Sequence, residues 1–369
     1  MKPRDRVLAA IRRERTDRCP LQIAFTPEFA ARLRRDLHLP EKDPANPHST
    51  EAEYDLEMAL GVDMLRTSVG WVTGYYKGDR PYTDEWGVGF VPAEYTTRFG
   101  KGYYTEPLGH PLAEDGALEK YRVPDPERPE LYNGVEKLIR EHKGEHWIVG
   151  ETVTTIFETA AALRGLERLL LDMIADPDLA DRILEIPYRY HLAAARRMVR
   201  MGVDMIWVGD DVGTQRGMLM SPALWRKFLK PRMASFIAEI RSLNPGLKVA
   251  YHSDGDIRPI IPELIEIGVD VLNPIQPACM DPAELKRLYG DRLSFWGAID
   301  EQRTLPFGSP EDVRREVRLR LETVGKGGGL IIGPTHHIQL DTPLENLWAL
   351  VEEVTASRRS APPRGDRPV

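Results

Sequence analysis

Eight short apolar runs, most of them followed by a helical segment, constrain this 369-residue chain more than any other feature. Alternating strands and helices predict a parallel sheet, and eight repeats favour a closed (β/α)8 TIM barrel over an open doubly wound sheet. The open sheet would usually show a glycine-rich loop after its first strand, and residues 24–27 contain no glycine. The predicted strands lie at residues 20–25, 63–66, 146–150, 204–208, from 247 onward, 269–273, 293–296 and 329–333.

An insert at residues 70–125 interrupts this alternation after the second strand, with many Gly, Tyr and Trp residues and no helical period. Segments 82–91 and 101–106 predict β-hairpins, which we expect to pack over the C-terminal mouth of the barrel. A loop this long either serves function or covers an edge. Its aromatic residues could cover a flat ligand or form the insert's own small core; they include Trp71, Tyr75, Tyr76 and Trp86.

Composition limits the function classes. Residues 1–356 are predicted to form one domain, and the Arg- and Pro-rich residues 357–369 a disordered tail. A formal net charge of -7 argues against a nucleic-acid partner. No apolar run approaches the roughly 20 residues of a membrane span. With only Cys19 and Cys279 and no secretion signal near the N-terminus, a cytoplasmic location is expected, and a homodimer is compatible with the sequence.

Polar residues follow almost every predicted strand, at the end where barrel enzymes build their active sites. Ordinary caps also place Asp and Asn there, so the set carries more weight than any member. Asp210 and Asp211 could be an acid/base pair or a helix-capping turn, and only one of these neighbours should point into the pocket. The residues predicted to be catalytic are Asp210, Asp254 and His336. Those predicted to bind substrate are Glu151, Asp211, Asn273, Gln276, Trp296 and His337.

The run from Leu247 ends in His252-Ser253-Asp254, which places two metal-ligating side chains on one face of an extended segment. His336, after the eighth strand, reaches the same end of a barrel. Neutral imidazole and ionised carboxylate are ligands for a divalent metal such as zinc, so His252, Asp254 and His336 are predicted metal ligands. The rival is a metal-free polar pocket in which the histidines bind an anionic substrate or transfer protons.

Several blocks of this sequence resemble the uroporphyrinogen decarboxylase superfamily over nearly the full length. They are Pro3–Ala10, His252–Gly255, Phe295–Asp300, Gly327–Gly329, Pro334–Ile338 and Thr342–Asn346. The resemblance implies a (β/α)8 barrel with its cleft at the C-terminal ends of the strands. It also implies one of two chemistries.

One branch of the superfamily decarboxylates a tetrapyrrole without a cofactor, using an aspartate after the second strand and an Arg-rich first loop that holds the acidic arms. This chain has Leu65-Arg66-Thr67-Ser68 after that strand, without an aspartate. Its first loop carries Glu28, which would repel carboxylates. A cofactor-free decarboxylase of a porphyrinogen or another carboxylate is therefore the alternative hypothesis.

The other branch transfers methyl groups between a corrinoid protein and a thiol, with zinc held by His-x-Cys after strand five and a Cys after strand eight. His252 matches the histidine, and Asp254 and His336 stand at the cysteine positions. These harder ligands favour an oxygen-bound methyl group over a thiol, and Cys279 could substitute as a ligand. The leading hypothesis is metal-assisted methyl transfer, with the corrinoid on a partner protein because no Asp-x-His-x-x-Gly motif occurs here. A barrel that binds a ligand without catalysis is a third reading.

Overall fold

A computed structural model describes residues 1–41, 54–69 and 79–357 of the chain. Within these ranges the helices are α1 (Pro3–Ile11), α2 (Pro27–Asp36), α3 (Asp55–Leu60), α4 (Asn133–His142), α5 (Phe157–Arg164), α6 (Leu166–Ala175), α7 (Pro177–Met201), α8 (Pro222–Phe228), α9 (Lys230–Leu243), α10 (Ile261–Glu266), α11 (Pro282–Tyr289), α12 (Thr304–Phe307), α13 (Pro310–Thr323) and α14 (Leu344–Ala356). Short 3-10 helices cover Ala117–Lys120, Pro129–Tyr132 and Arg258–Ile260.

The strands are β1 (Met64–Ser68), β2 (Tyr82–Thr83), β3 (Gly89–Thr97), β4 (Gly100–Gly109), β5 (Trp147–Glu151), β6 (Met205–Gly209), β7 (Gly213–Thr214), β8 (Gly217–Met218), β9 (Lys248–His252), β10 (Val271–Asn273), β11 (Ser294–Ile299) and β12 (Leu330–Pro334). A seven-stranded sheet has the order β1-β5-β6-β9-β10-β11-β12, and each pair in it is parallel. Helices cover its outer face. The predicted α/β barrel architecture is confirmed.

The first predicted strand, residues 20–25, joins the barrel only through isolated bridges from Leu21 to Ile332 and from Phe25 to Ile338. On its other side, Asp63 N donates to Leu21 O at 2.8 Å, so the segment fills the gap between β12 and β1. Regular pairing is limited because Pro20 has no N–H to donate. The close approach also requires Gly333, where an added Cβ would lie 2.0 Å from the Gln22 carbonyl oxygen.

Helix α1 closes the N-terminal end of the barrel. Val7 and Ile11 belong to an interior cluster with the side chains that point into the barrel, including Met64, Trp147 and Met205. A larger cluster fills the space between the sheet and the outer helices. The interior cluster ends at Trp207 and Trp296, which leaves the C-terminal half of the barrel open for a cavity.

Local capping chemistry sets several helix boundaries. Ser221 accepts a hydrogen bond from Leu224 N, and Pro222 follows it at the first helical position, as the sequence predicts. The sequence from this start to Leu243 predicts a single helix, but the structure has two, because α9 restarts at Lys230 with a proline in its first turn. None of the described helices has the length and apolar character that a membrane span needs.

Residues 79–125 contain a three-stranded antiparallel sheet of order β2-β3-β4. Its long hairpin pairs β3 with β4, and side chains of both strands line the cavity at the C-terminal mouth of the barrel. Trp86 is 1% exposed and packs on Tyr190 at 4.7 Å between ring centroids, so it belongs to the core. Trp71, Tyr75, Tyr76 and the predicted tail beyond Ser357 lie outside the described residues.

Candidate functional site

A cavity of about 560 Å³ lies at the C-terminal ends of the barrel strands. Trp207 and Trp296 form its apolar floor, where their rings meet at 4.8 Å between centroids. Tyrosines of the hairpin β3–β4 form its outer wall. The predicted site residues that line the cavity are Glu151, Asp211, His252, Asn273, Trp296, His336 and His337.

Three potential metal ligands converge beside the cavity. Ligand atoms of Asp211, His252 and Asp254 all lie within 4.8 Å of one another. The Oδ1 atom of Asp211 is 3.5 Å from Nε2 of His252. Two ligands that each bind one ion at about 2.0–2.2 Å stand about 3.3–3.6 Å apart in tetrahedral geometry, so this pair already has the separation that a shared metal requires.

A hydrogen bond from Nδ1 of His252 to Oδ1 of Asn273, 2.8 Å long, fixes the histidine ring. The amide nitrogen of Asn273 donates to the Trp296 carbonyl at 3.3 Å, which orients the amide oxygen toward the ring. Because the amide oxygen of Asn273 is an acceptor, Nδ1 of His252 donates this hydrogen bond, and Nε2 is the ring nitrogen that faces the Asp211 carboxylate. A cation placed between Nε2 and the carboxylate would contact both groups.

The loops after β6 and β9 bring the two aspartates together. Asp254 N donates to Oδ1 of Asp211 at 2.7 Å. This contact depends on Gly255, which has a φ of +81° and would place a Cβ 2.5 Å from the Gly213 carbonyl carbon. Oδ1 of Asp254 is buried without a hydrogen-bond partner. Burial, opposed by His252 and reinforced by Asp211, raises the pKa of Asp254 to about 6.

Residues 99–357 of the chain match the family described as uroporphyrinogen decarboxylase (URO-D). The chain belongs to the URO-D family. It is 29% identical over 215 residues to a methylcobamide:CoM methyltransferase, MtaA, of Methanosarcina barkeri, a match that spans 58% of this chain and 60% of that relative. It is 24% identical over 257 residues to a uroporphyrinogen decarboxylase of Psychromonas ingrahamii, spanning 67% of this chain and 70% of that protein.

Among solved structures, the fold resembles that of a methyltransferase from Methanosarcina mazei, with a TM-score of 0.70 and 22% sequence identity. The superposition covers 96% of this chain and 99% of that one. This likeness confirms the URO-D barrel fold. These relatives carry the names of two different enzymes, a methyltransferase and a decarboxylase, so family membership alone does not distinguish the two reactions.

Asp210 does not reach the cavity, which corrects its assignment as a catalytic residue. Its carboxylate is 1% exposed and accepts hydrogen bonds from the backbone N–H groups of Ile156 and Glu158, each 3.0 Å from Oδ1. These N–H groups stand at the start of α5, where capping and the helix dipole favour a carboxylate. Burial nevertheless raises the pKa of Asp210 to about 6. Of the two neighbouring aspartates, Asp211 is the one in the pocket.

Gln276 also lies outside the cavity lining, contrary to its predicted role in substrate binding. Its Oε1 atom accepts a hydrogen bond of 2.6 Å from Gly255 N, and the side chain is 7% exposed. Gln276 therefore holds the loop that carries Asp254. The thiol of Cys279 lies 3.4 Å from the same Oε1 atom and is not part of the three-residue metal group.

His336 faces the cavity but is not among the three converging ligands, so Asp211 takes the place predicted for it. The His336 side chain is exposed to the open space of the cavity. The protein around it and the neighbouring His252 both disfavour its charged form and lower the pKa of His336. Its ring meets that of His337 edge-on at 5.0 Å between centroids.

Arg66 supplies the one positive charge among the described residues that line the cavity. Nε of Arg66 lies 2.9 Å from Oε1 of Glu151, and the guanidinium stacks over Trp207 at 4.8 Å. A second nitrogen of Arg66 lies 3.1 Å from Nε2 of His337. Glu151, which the sequence predicts to bind substrate, therefore lies in the cavity as one half of a buried ion pair with Arg66.

Sequence reasoning did not identify Glu158 or the hairpin tyrosines as cavity residues, and it used Glu28 only as an argument against an acidic substrate. Glu158 lines the cavity on α5 and accepts a hydrogen bond from Asp211 N at 2.9 Å. Burial, with Asp211 and Asp210 nearby, raises the pKa of Glu158 well above its ordinary value. Glu158 follows its strand by seven positions, so inspection of the strand ends alone does not find it. The alternation of hairpin residues between two faces could have identified the tyrosines.

Proposed function

We propose that this URO-D family protein catalyses metal-assisted methyl transfer between a small molecule and a corrinoid carried by a partner protein. The observation that carries the proposal is the convergence of Asp211, His252 and Asp254 at the edge of the cavity. One nitrogen and two carboxylate ligands suit zinc or a similar divalent ion. The buried, unpartnered Oδ1 atom of Asp254 fits such a group, because a bound cation would compensate for its lost solvation.

Each residue of the group has a distinct task. Asn273 keeps Nε2 of His252 directed at the ligand position, and Gln276 holds the loop of Asp254. Glu158 positions Asp211 by accepting a hydrogen bond from the backbone N–H of Asp211. When bound, a divalent cation would supply Lewis acidity that activates the oxygen or sulfur atom from which, or to which, the methyl group moves. Trp207 and Trp296 exclude water from the floor of the cavity.

The charge of the cavity disfavours decarboxylation of a porphyrinogen, the alternative reaction. The carboxylates that line the cavity are Glu28, Glu151, Glu158 and Asp211. Arg66, the single Lys or Arg among the described lining residues, is already paired with Glu151. A substrate with several carboxylates needs several cationic partners, so its acidic arms would be repelled here.

The experiment combines metal analysis with a methyl-transfer assay on wild type, His252→Ala and a control, His142→Ala. His142 lies on α4, away from the cavity lining. Wild type and the control should retain about one divalent ion per chain after dialysis and consume methylcobalamin in the presence of an acceptor, while His252→Ala should lose both. If His252→Ala keeps its activity without metal, or if the wild type consumes uroporphyrinogen instead, the proposal is wrong.

A further inference from the structure

The outer end of the cavity combines a carboxylate with aromatic rings. Glu28, on α2, lines the cavity together with Tyr95 of β3 and Tyr104 of β4. The tyrosine rings contact each other at 5.6 Å between centroids, with 52° between their planes. Such an angled wall leaves no slot for a flat ring between the tyrosines, and it suits a compact group better.

Glu28 is fixed in place by the hairpin. Its Oε1 atom accepts a hydrogen bond of 3.2 Å from Tyr103 N, so the carboxylate is directed along the hairpin that forms the outer wall. Within the described ranges it forms no ion pair with a lysine or arginine, and the cavity's only cation, Arg66, is bound to Glu151 at the floor. The negative charge of Glu28 is therefore available to a ligand.

A hydrogen bond holds the ring of Tyr104 at this wall, because its hydroxyl accepts from Nε2 of Gln339 at 2.5 Å. Burial is the main reason that the pKa of Tyr104 is raised, and Glu28 is among the carboxyl groups that raise it further. Aromatic faces beside a carboxylate that has no lysine or arginine partner among the described residues are the combination that attracts an organic cation.

We propose that Glu28, Tyr95 and Tyr104 form a subsite for an alkylated ammonium group of the small-molecule substrate. The ring faces attract the cation through their quadrupoles, and Glu28 supplies the opposite charge. The proposal deepens the proposed function by naming a substrate class, and it rests on that function only in treating the ligand as a substrate. Binding of the ammonium group itself requires neither the metal nor the corrinoid.

The test measures binding of choline and of its neutral isostere 3,3-dimethyl-1-butanol by isothermal titration calorimetry, using the full chain after chelator treatment. Choline should bind about tenfold more tightly than the isostere. Glu28→Gln, which can still accept the hydrogen bond from Tyr103 N, should weaken choline binding about tenfold. Tyr104→Leu should weaken it by about threefold to tenfold and Tyr104→Phe much less, because Phe keeps the ring face.

The control is Glu106→Gln, an exposed carboxylate of β4 that does not line the cavity, and it should leave the affinity unchanged. His252→Ala should also bind choline normally, so failure of the metal proposal and failure of this one are distinguishable. Thermal melts verify that each variant is folded. Equal affinity for choline and the neutral isostere would overturn the proposal. So would loss of choline binding in Asp254→Asn but not in Glu28→Gln, since the cation would then bind at the metal group.

Discussion

The two ends of the barrel surround their carboxylates in opposite ways. At the N-terminal end, Asp63 is fully buried between Arg6 and Arg18, the latter at 2.6 Å, and also accepts a hydrogen bond from Leu21 N. At the C-terminal end, Asp211 and Asp254 share a site with a histidine and form no ion pair with lysine or arginine among the described residues.

This difference separates stability from function. A buried ion pair contributes little net stability while its partners are all in place, but removal of one partner is costly because it leaves an uncompensated buried charge. Carboxylates without a cation are unfavourable in the protein interior, and the raised pKa of Asp254 reflects that. A site that contains such carboxylates is suited to bind a cation, which agrees with a role of Asp211 and Asp254 as metal ligands.

The largest effect is expected for Asp63→Asn. The change leaves Arg18 buried without an opposite charge and removes one of the two carboxylate partners of Arg6, so the free energy of unfolding should fall by about 3–5 kcal/mol. Urea denaturation measures this loss, with exposed Asp291→Asn as the control. A loss below about 1 kcal/mol, the range of surface pairs, would show that the N-terminal carboxylates are not structural.

Asp210→Ala should have the next largest effect, because it removes the cap of α5 at the catalytic end. We expect the free energy of unfolding to fall by about 1–2 kcal/mol. The activity per folded molecule should remain close to that of the wild type, as measured by the methyl-transfer assay on the soluble fraction. A large loss of turnover without loss of stability would contradict this and show that Asp210 is a catalytic residue.

Asp254→Asn should change the free energy of unfolding of the metal-free protein by less than about 1 kcal/mol, since it removes a carboxylate that has no cation partner. Added zinc should stabilise the wild type more than the variant. At a hundredfold excess over the dissociation constant, the wild type gains about 2.7 kcal/mol and the variant gains much less. Equal stabilisation of both proteins by zinc would place the metal elsewhere.

The smallest effect concerns the pH dependence of the N-terminal end. Hydrogen bonding to Arg6 holds the pKa of Asp17 well below its ordinary value of 3.8. Because the folded state has the lower pKa, this stabilisation is complete above about pH 4 and is lost as the pH falls. The Asp17→Asn variant should be less stable than wild type at pH 7 by about 0.5–1 kcal/mol, and this difference should shrink as the pH falls below about 4. A difference that is independent of pH would contradict this.

The barrel could be predicted from sequence because short runs such as Met205–Val208 and Leu330–Ile332 are apolar throughout, as strands buried on both faces require. The pairing of His252 with Asp254 also followed from their spacing. It could not be predicted that Asp211, and not Asp210, faces the cavity, since this depends on the backbone N–H groups of α5 that bind Asp210.

The outer wall could be predicted only in part. The sequence indicates that the insert packs over the mouth of the barrel, but no local pattern encodes the contact between Glu28 and the hairpin, which forms only after the insert docks. The role of Gln276 depends likewise on a tertiary hydrogen bond to Gly255 N. Sequence periodicity predicts which elements form, whereas these side chains are placed by contacts between loops of different strands.

Anomalous X-ray diffraction at the zinc edge, on crystals grown with zinc, tests the central claim most directly. We predict one anomalous peak at about 2.0–2.2 Å from Nε2 of His252 and from carboxylate oxygens of Asp211 and Asp254. The same crystals of His252→Ala should lack it. The absence of a peak there in the wild type, or a peak bound by His336 or Cys279 without Asp211, would contradict the account.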